Sequence, residues 1–320
     1  MKEFVKAKLV ISRCLGFDNC RYNGQILKND FIESLKNYTK IITVCPERDI
    51  GLEVPRNSLR LVVEDENLKI IDKKANKDYS SEMKNYSKKF LKTLNNVDGF
   101  ILKNRSPSCA INDGKIYNAK NGSPFKTDSG FFTNELKKEF PYMIMEDEGR
   151  LTNLKIREDF LSKIFLKADF NNIKSSLDIK ELIDFHSRNK YLLLTFDENN
   201  MRKLGKIVAN HNKDNVKKIF NNYEIHLNKA LANESSYTKN INVLMHTLGY
   251  FKDKLSSEEK SFFLDQLEKY RENKVHLKVP LNIIKSWIIK YNEKYLKRQR
   301  FFNPYPEELM DLKDSAKNQR

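Results

Sequence analysis

Apolar positions in the first 150 residues fall into short runs separated by stretches of helical spacing. Lys8 to Ile11 (KLVI) is a β-rich run that ends at Ser12-Arg13-Cys14, and Lys40 to Val44 (KIITV) is a second that ends at Cys45-Pro46. A third, Gly99 to Leu102 (GFIL), leads into Lys103-Asn104-Arg105-Ser106-Pro107-Ser108-Cys109. Between them, Asp30 to Tyr38 places Phe31 and Leu35 four apart, and Ser80 to Asn95 puts Tyr86, Phe90 and Leu94 on one helical face. Strand, helix, strand, helix, strand predicts an α/β domain with a parallel, Rossmann-like sheet.

From about Asn153 the period changes to that of helices alone. Phe160, Ile164 and Phe165, then Leu182 and Phe185, then Phe262, Phe263, Leu267 and Tyr270 mark successive faces. Pro280 stands at a helix start, and Ile283, Trp287, Tyr291 and Tyr295 follow at intervals of four. The expected organisation is an α/β domain over residues 1–155 and an all-α domain over 156–320.

Composition adds charge to this picture. The chain has 320 residues and a formal net charge of +16, with 59 basic residues against 43 acidic. Up to Arg150 the balance is 27 against 21, and beyond it 32 against 22, so both halves are drawn to polyanions and the second more strongly. Aromatics among basic residues, as at Lys290, Lys294, Lys297 and Arg298 beside Tyr291 and Tyr295, suit an RNA surface. The aromatics themselves read as core. Glycine and proline are too few for a disordered chain. The first residues, MKEFVKAKLVISRC, lack the apolar length of a leader, and no run reaches the ~20 residues of a membrane span. Four cysteines without disulfide spacing point to a reducing cytoplasm.

The cysteines carry the chemistry. Ligands of parallel sheets bind beyond the carboxyl ends of the strands. Cys14, Cys45 and Cys109 each stand at or shortly after such an end, 31 and 64 residues apart in sequence. Zinc would call for a fourth ligand, usually from a local pair, and no histidine precedes His186. Three thiolates suit an iron–sulfur cluster with one open iron, which favours a sulfur-bearing substrate. The plain alternative is three small buried residues. Cys20 reads as a bystander.

Polar neighbours fill out the site. Glu47, two residues after Cys45, suits a general acid or base, or else a surface carboxylate paired with Arg48 or Arg56. Ser106 and Ser108 offer hydroxyls that orient a carbonyl-like group, or serve as turn residues. Arg21 and Tyr22 form a cation and ring that grip a base or phosphate, or close their loop.

The segments ISRCLGFDNCRYNG, VCPERDIGLEVPR and LKNRSPSC resemble, in order, the signatures of the thiouracil desulfidase (TudS-like) family, and Gly149-Arg150 resembles the end of that domain. The likeness covers about residues 5–155. FHSRNKYLLL from Phe185, NVLMHTLGYFKDKLSSEEK from Asn242, VPLNII from Val279 and NPYPEEL from Asn303 resemble the YbgA-type helical domain. The resemblance implies a [4Fe-4S] cluster on Cys14, Cys45 and Cys109, with Glu47 and Ser106 catalytic. It further implies a desulfidase that converts 4-thiouridine in tRNA to uridine, with the helical domain aiding RNA binding. Asn23 and Ala110 depart from the Asp and Gly of the shorter desulfidases, which bears on small-base specificity more than on the cluster. Thiolated tRNA is the expected partner and a small thiolated base the second choice. A redox sensor or RNA-binding regulator without turnover is the alternative from another class.

Overall fold

A computed structural model describes residues 4–119 and 122–310. The chain divides into two compact units, one running to Ala168 and resuming at Pro306, the other Asp169–Tyr305. In the first unit, β1 (Ala7–Ser12), α1 (Asp30–Leu35), β2 (Thr39–Val44) and α2 (Pro46–Asp49) follow one another. Next come β3 (Leu59–Glu64), β4 (Asn67–Asp72), β5 (Lys77–Asp78), α3 (Ser80–Thr93) and β6 (Gly99–Leu102). Then β7 (Gly114–Asn118), β8 (Pro124–Asp128), α4 (Phe131–Glu139), β9 (Met145–Asp147) and α5 (Leu154–Lys174) complete the order, α5 ending in the second unit.

The expected parallel sheet is present, in the order β2-β1-β6-β9. Its pairings are parallel throughout, with Val10 beside Ile42 and Phe100, and Ile101 beside Glu146. Being central, β1 is covered on both faces, which is why its apolar run is continuous rather than alternating. Leu9, Val10 and Ile11 are fully buried. Val10, Val44, Phe100 and Leu102 pack with Leu91 of α3 and with Phe132 and Leu136 of α4.

A second sheet, ordered β5-β4-β3-β7-β8, was not expected from the sequence. It is antiparallel except for the β3–β7 pair. Strand β3 turns into β4 through Asp65 and Glu66, both at positive φ (47° and 64°), as a two-residue hairpin turn needs. Asn-Gly or Asp-Gly would have announced that turn, and neither is there. One face of the sheet is apolar, with Leu59, Leu61, Ile70 and Ile116 buried against Met83 and Phe131.

The second unit is helical: α6 (Ile179–Phe196), α7 (Glu198–Ala209), α8 (Val216–Leu231), α9 (Tyr237–Leu248), α10 (Ser257–Arg271), α11 (Lys278–Lys290) and α12 (Lys294–Lys297). Phe170 stacks on Tyr223, with Phe185 and Phe220 also against Phe170. His186 bonds through Nδ1 to the Tyr223 hydroxyl at 3.0 Å, and burial pulls its pKa down to about 4, so it is a neutral packing residue. The interval of four from Ile283 to Tyr295 reads as one helical face, and the structure corrects this. Helix α11 stops at Lys290, and Asn292 takes φ 48° before α12 begins. Trp287 is buried against Phe251 and Phe263, while Tyr291 and Tyr295 belong to the turn and to α12. No helix among the described residues is long and apolar enough to cross a membrane.

Candidate active site at the carboxyl edge of the parallel sheet

The loops after β1, β2 and β6 meet at one end of the sheet. The backbone N–H of Arg13 donates to the carbonyl of Val44 (2.8 Å) and that of Lys103 to the Ser12 hydroxyl (2.9 Å), which ties the three strand ends together. Beyond them lies a cleft of about 570 Å³. Cys14, Cys45 and Cys109 all line it, and so does Cys20.

Cys20 thus stands on the same wall as the other three cysteines. The Cys45 thiol donates to the Cys20 carbonyl at 4.0 Å, and Cys20 is almost completely buried. The neighbouring Cys14 thiol, together with burial, pushes the pKa of Cys20 up to about 12. The neighbourhood of Cys20 and then burial raise Cys45 as well. Burial is the first cause of the raised pKa of Cys109, opposed by hydrogen bonds from Ser12 and Ser106. Three of the thiols are thus held neutral as they stand, and a metal bound there would take the place of a proton.

Glu47 reaches the cleft from the first turn of α2, where Pro46 starts the helix. It lines the cleft and is paired with Arg56, and with 12% of its side chain exposed it is not a surface carboxylate. Its Oε2 accepts from Arg56 Nη2 (2.7 Å) and Nε (3.1 Å), and its Oε1 accepts from the Ser108 hydroxyl (2.9 Å). Arg56 Nη2 also donates to the Cys20 carbonyl at 3.1 Å, so one guanidinium fixes both the carboxylate and the fourth thiol's loop. Arg48 instead donates to the Leu52 carbonyl.

The two serines have different surroundings. Ser106 lines the cleft, and its Oγ accepts from the backbone N–H of Ser108 (3.2 Å) and of Cys109 (3.1 Å). Ser108 is fully buried and its hydroxyl is committed to Glu47, so it positions the carboxylate rather than facing a substrate. The loop that carries both is bound to α4. Phe131 and Phe132 donate backbone N–H groups to the carbonyls of Pro107 and Ser108, and the Thr133 hydroxyl donates to that of Cys109.

Arg21 and Tyr22 also line the cleft. The sequence reading missed Arg60, Lys115 and Tyr117, which come from the unexpected second sheet, and Lys103 and Arg105 after β6. Arg60 and Tyr117 alternate with buried Leu61 and Ile116, a period-2 signal that becomes readable once β3 and β7 are known. Glu47 is the only carboxylate on a wall that holds six cationic side chains. Two of these are neutralised, Arg56 by Glu47 and Lys103 by Glu148. Lys290, Lys294, Lys297 and Arg298 belong to the second unit and are exposed, and none of them lines this cleft. Lys290 pairs with Glu259 at 3.3 Å and Arg298 with Asp184.

Residues 9–148 match the family described as 2-thiouracil desulfurase, and residues 190–306 match a family of unknown function designated DUF1722. The uncharacterized protein YbgA of Escherichia coli (strain K12) is 31% identical over 158 residues, which is 49% of this chain and 93% of that protein. The uncharacterized protein YbbK of Bacillus subtilis (strain 168) is 31% identical over 151 residues, 44% of this chain and 96% of that one. The chain belongs to the 2-thiouracil desulfurase family, with a YbgA-type domain following. Among solved structures, the [4Fe-4S]-dependent thiouracil desulfidase TudS is 24% identical, covering 46% of this chain and 93% of that one, with a TM-score of 0.38.

The donor set of this desulfurase-family domain can be judged on its own chemistry. Among the described residues, no three His, Cys, Asp or Glu side chains are arranged to hold a single metal ion. A cubane cluster makes a different demand, because each thiolate binds its own iron and the ligands surround a volume rather than a point. Cys14, Cys45 and Cys109, from three strand ends, line one cleft, a soft donor set whose chemistry suits such a cluster.

Proposed function

We propose that the chain is an iron–sulfur-dependent desulfidase that converts 4-thiouridine in tRNA to uridine with release of sulfide. One observation carries the reading: cysteines from three strand ends line one cleft together with a carboxylate held by both an arginine and a serine. Cys14, Cys45 and Cys109 would hold a [4Fe-4S] cluster. When bound, it supplies an open iron that takes up sulfur and withdraws electrons from the carbon–sulfur bond.

The chain's own residues supply the rest. Glu47 takes a proton from the water that attacks the thiolated carbon and returns it to the departing sulfur. Arg56 and Ser108 hold the two carboxylate oxygens so that the side chain keeps one orientation. Ser106 presents its hydroxyl beside Cys109, where it orients substrate or water. Water and the thiocarbonyl exchange oxygen for sulfur, giving a carbonyl and hydrogen sulfide with no net redox change.

A polynucleotide substrate is supported by the cations around the mouth, of which Arg21, Arg60, Arg105 and Lys115 exceed what Glu47 can neutralise. The target base must leave its stack, at a cost of a few kcal/mol that phosphate contacts offset. The second reading, desulfidation of a free thiolated base, is favoured by the family's description. Turnover compared on thiolated tRNA and on free 2-thiouracil separates them. The expected result is a kcat/KM at least ~100-fold higher on tRNA, because binding energy from remote phosphates is available there, with the advantage shrinking as salt rises. Equal or better turnover of the free base would overturn the tRNA reading.

A further inference from the structure

The second sheet has an outer face that the desulfidation chemistry does not use. Leu59, Leu61 and Ile70 turn inward, so Arg60, Val62 and Glu64 of β3 and Lys69 and Ile71 of β4 take the opposite side. Val62 pairs with Tyr117 of β7, which places that ring on the same face. A groove of about 300 Å³ lies over this side, with Lys69, Lys73 and Lys77 along it. Arg60 and Tyr117 line both this groove and the thiol cleft, so the two depressions share a wall. The Arg60 guanidinium lies 4.8 Å from the centre of the Tyr117 ring, which makes a combined cationic and aromatic platform at the junction.

The balance of charge on the groove is positive. Arg60, Lys69, Lys73 and Lys77 outnumber its two carboxylates, Glu64, which pairs with Lys69 at 2.5 Å, and Asp78, which accepts from the backbone and hydroxyl of Ser80. Lys73 and Lys77 are exposed. A single nucleotide in the cleft would leave this surplus of positive charge unused, whereas a strand running out of the cleft would meet it with successive phosphates. An acidic peptide would use the cations but leave the ring platform without a stacking partner.

We propose that this sheet face carries the backbone of a single-stranded stretch of RNA, with Lys69, Lys73 and Lys77 on phosphates and Tyr117 under a base. The proposal builds on the desulfidase reading in placing the neighbouring base in the thiol cleft, but the binding itself needs no turnover. It also moves RNA contact onto the first unit, away from the basic cluster of the helical one.

The test uses the full-length chain and a fluorescent, sulfur-free single-stranded oligoribonucleotide, followed by anisotropy over a range of salt. Replacing Lys69, Lys73 and Lys77 together by Ala is expected to weaken binding by at least ~10-fold at low salt. It should also flatten the slope of log affinity against log salt by about 2, since each phosphate contact on a single strand contributes ~0.7. Turnover of free 2-thiouracil should stay at the parent level, because none of the three lysines lines the cleft. Unchanged affinity and slope in the triple variant would overturn the proposal. So would loss of binding in a Lys294→Ala/Lys297→Ala variant alone, or displacement of the RNA by an equal concentration of polyglutamate. A parent chain that binds this RNA with the stated lysine dependence but turns over no thiolated base sinks the desulfidase reading and supports the track.

Discussion

Glu47→Gln is expected to lower turnover of a thiolated base by about 10²–10⁴-fold, the usual contribution of a positioned acid–base group, while iron binding persists. The substitution keeps the length of the side chain and an oxygen that can accept from Ser108, now 2.9 Å from Oε1. It removes the negative charge that faces Arg56, whose side chain is 9% exposed. Leaving that guanidinium without its ion pair costs about 1–3 kcal/mol, which thermal unfolding would register as a modest loss. Turnover should fall far more than stability does, and the cysteines are untouched. A redox sensor has no use for a proton-transfer group, so full retention of the biological output in Glu47→Gln would favour that alternative. Sulfide release assayed under anaerobic conditions, alongside iron content, decides the matter.

Gly130→Ala is expected to damage the fold and the site together. Gly130 has φ −64° and ψ 162°, which any residue adopts, so the requirement for glycine is one of space alone. An added Cβ would stand 2.4 Å from the carbonyl carbon and oxygen of Ser108 and 2.7 Å from the nitrogen of Cys109. These are backbone atoms of the loop that carries Cys109, and they cannot swing aside as a side chain can. Hydrogen bonds from Gly130 to Ala110 (2.7 Å) and from Phe131 to Pro107 (2.9 Å) hold the two segments together. Relieving the overlap must break such bonds or strain the backbone, at about 3 kcal/mol. For a unit the size of the first that lowers Tm by roughly 6–12 °C, and iron bound per chain should fall with it. Gly249→Ala is the control, since a Cβ there meets nothing within 4 Å. An unaltered Tm in Gly130→Ala would mean that the loop yields freely.

The sequence reveals the parallel sheet because its strands are buried on both faces. KLVI, KIITV and GFIL stand out as β-rich runs, and their observed limits differ from the expected ones by a residue or none at each end. From those runs it follows that Cys14, Cys45 and Cys109 share an edge. The second sheet stays hidden for the opposite reason. Its strands are buried on one side, alternate with charge, and turn at Asp65-Glu66 without glycine or asparagine. With it goes one side of the cleft wall, made by Leu59, Arg60, Lys115 and Tyr117.

Cys20 shows a second limit. Its loop folds back over the cleft through the Arg56 bonds to the Cys20 carbonyl and to Glu47, which link residues 36 and 9 apart in the chain. Spacing alone carries no trace of that contact. The aromatic series from Ile283 to Tyr295 misleads in the reverse direction, since a spacing of four persists across a real break at Asn292. The difference between Ser106 and Ser108 is likewise a matter of which hydroxyl points at Glu47, and two serines separated by one proline look alike in sequence.

Iron and acid-labile sulfide per chain, measured after anaerobic reconstitution, test the central claim most directly. About four of each are expected in the parent, as for a four-iron cluster. Cys14→Ser, Cys45→Ser and Cys109→Ser should each lose most of that iron, and Cys20→Ser should keep it. A reconstituted parent free of iron, or full iron content in Cys109→Ser, would contradict a cluster held at this sheet edge.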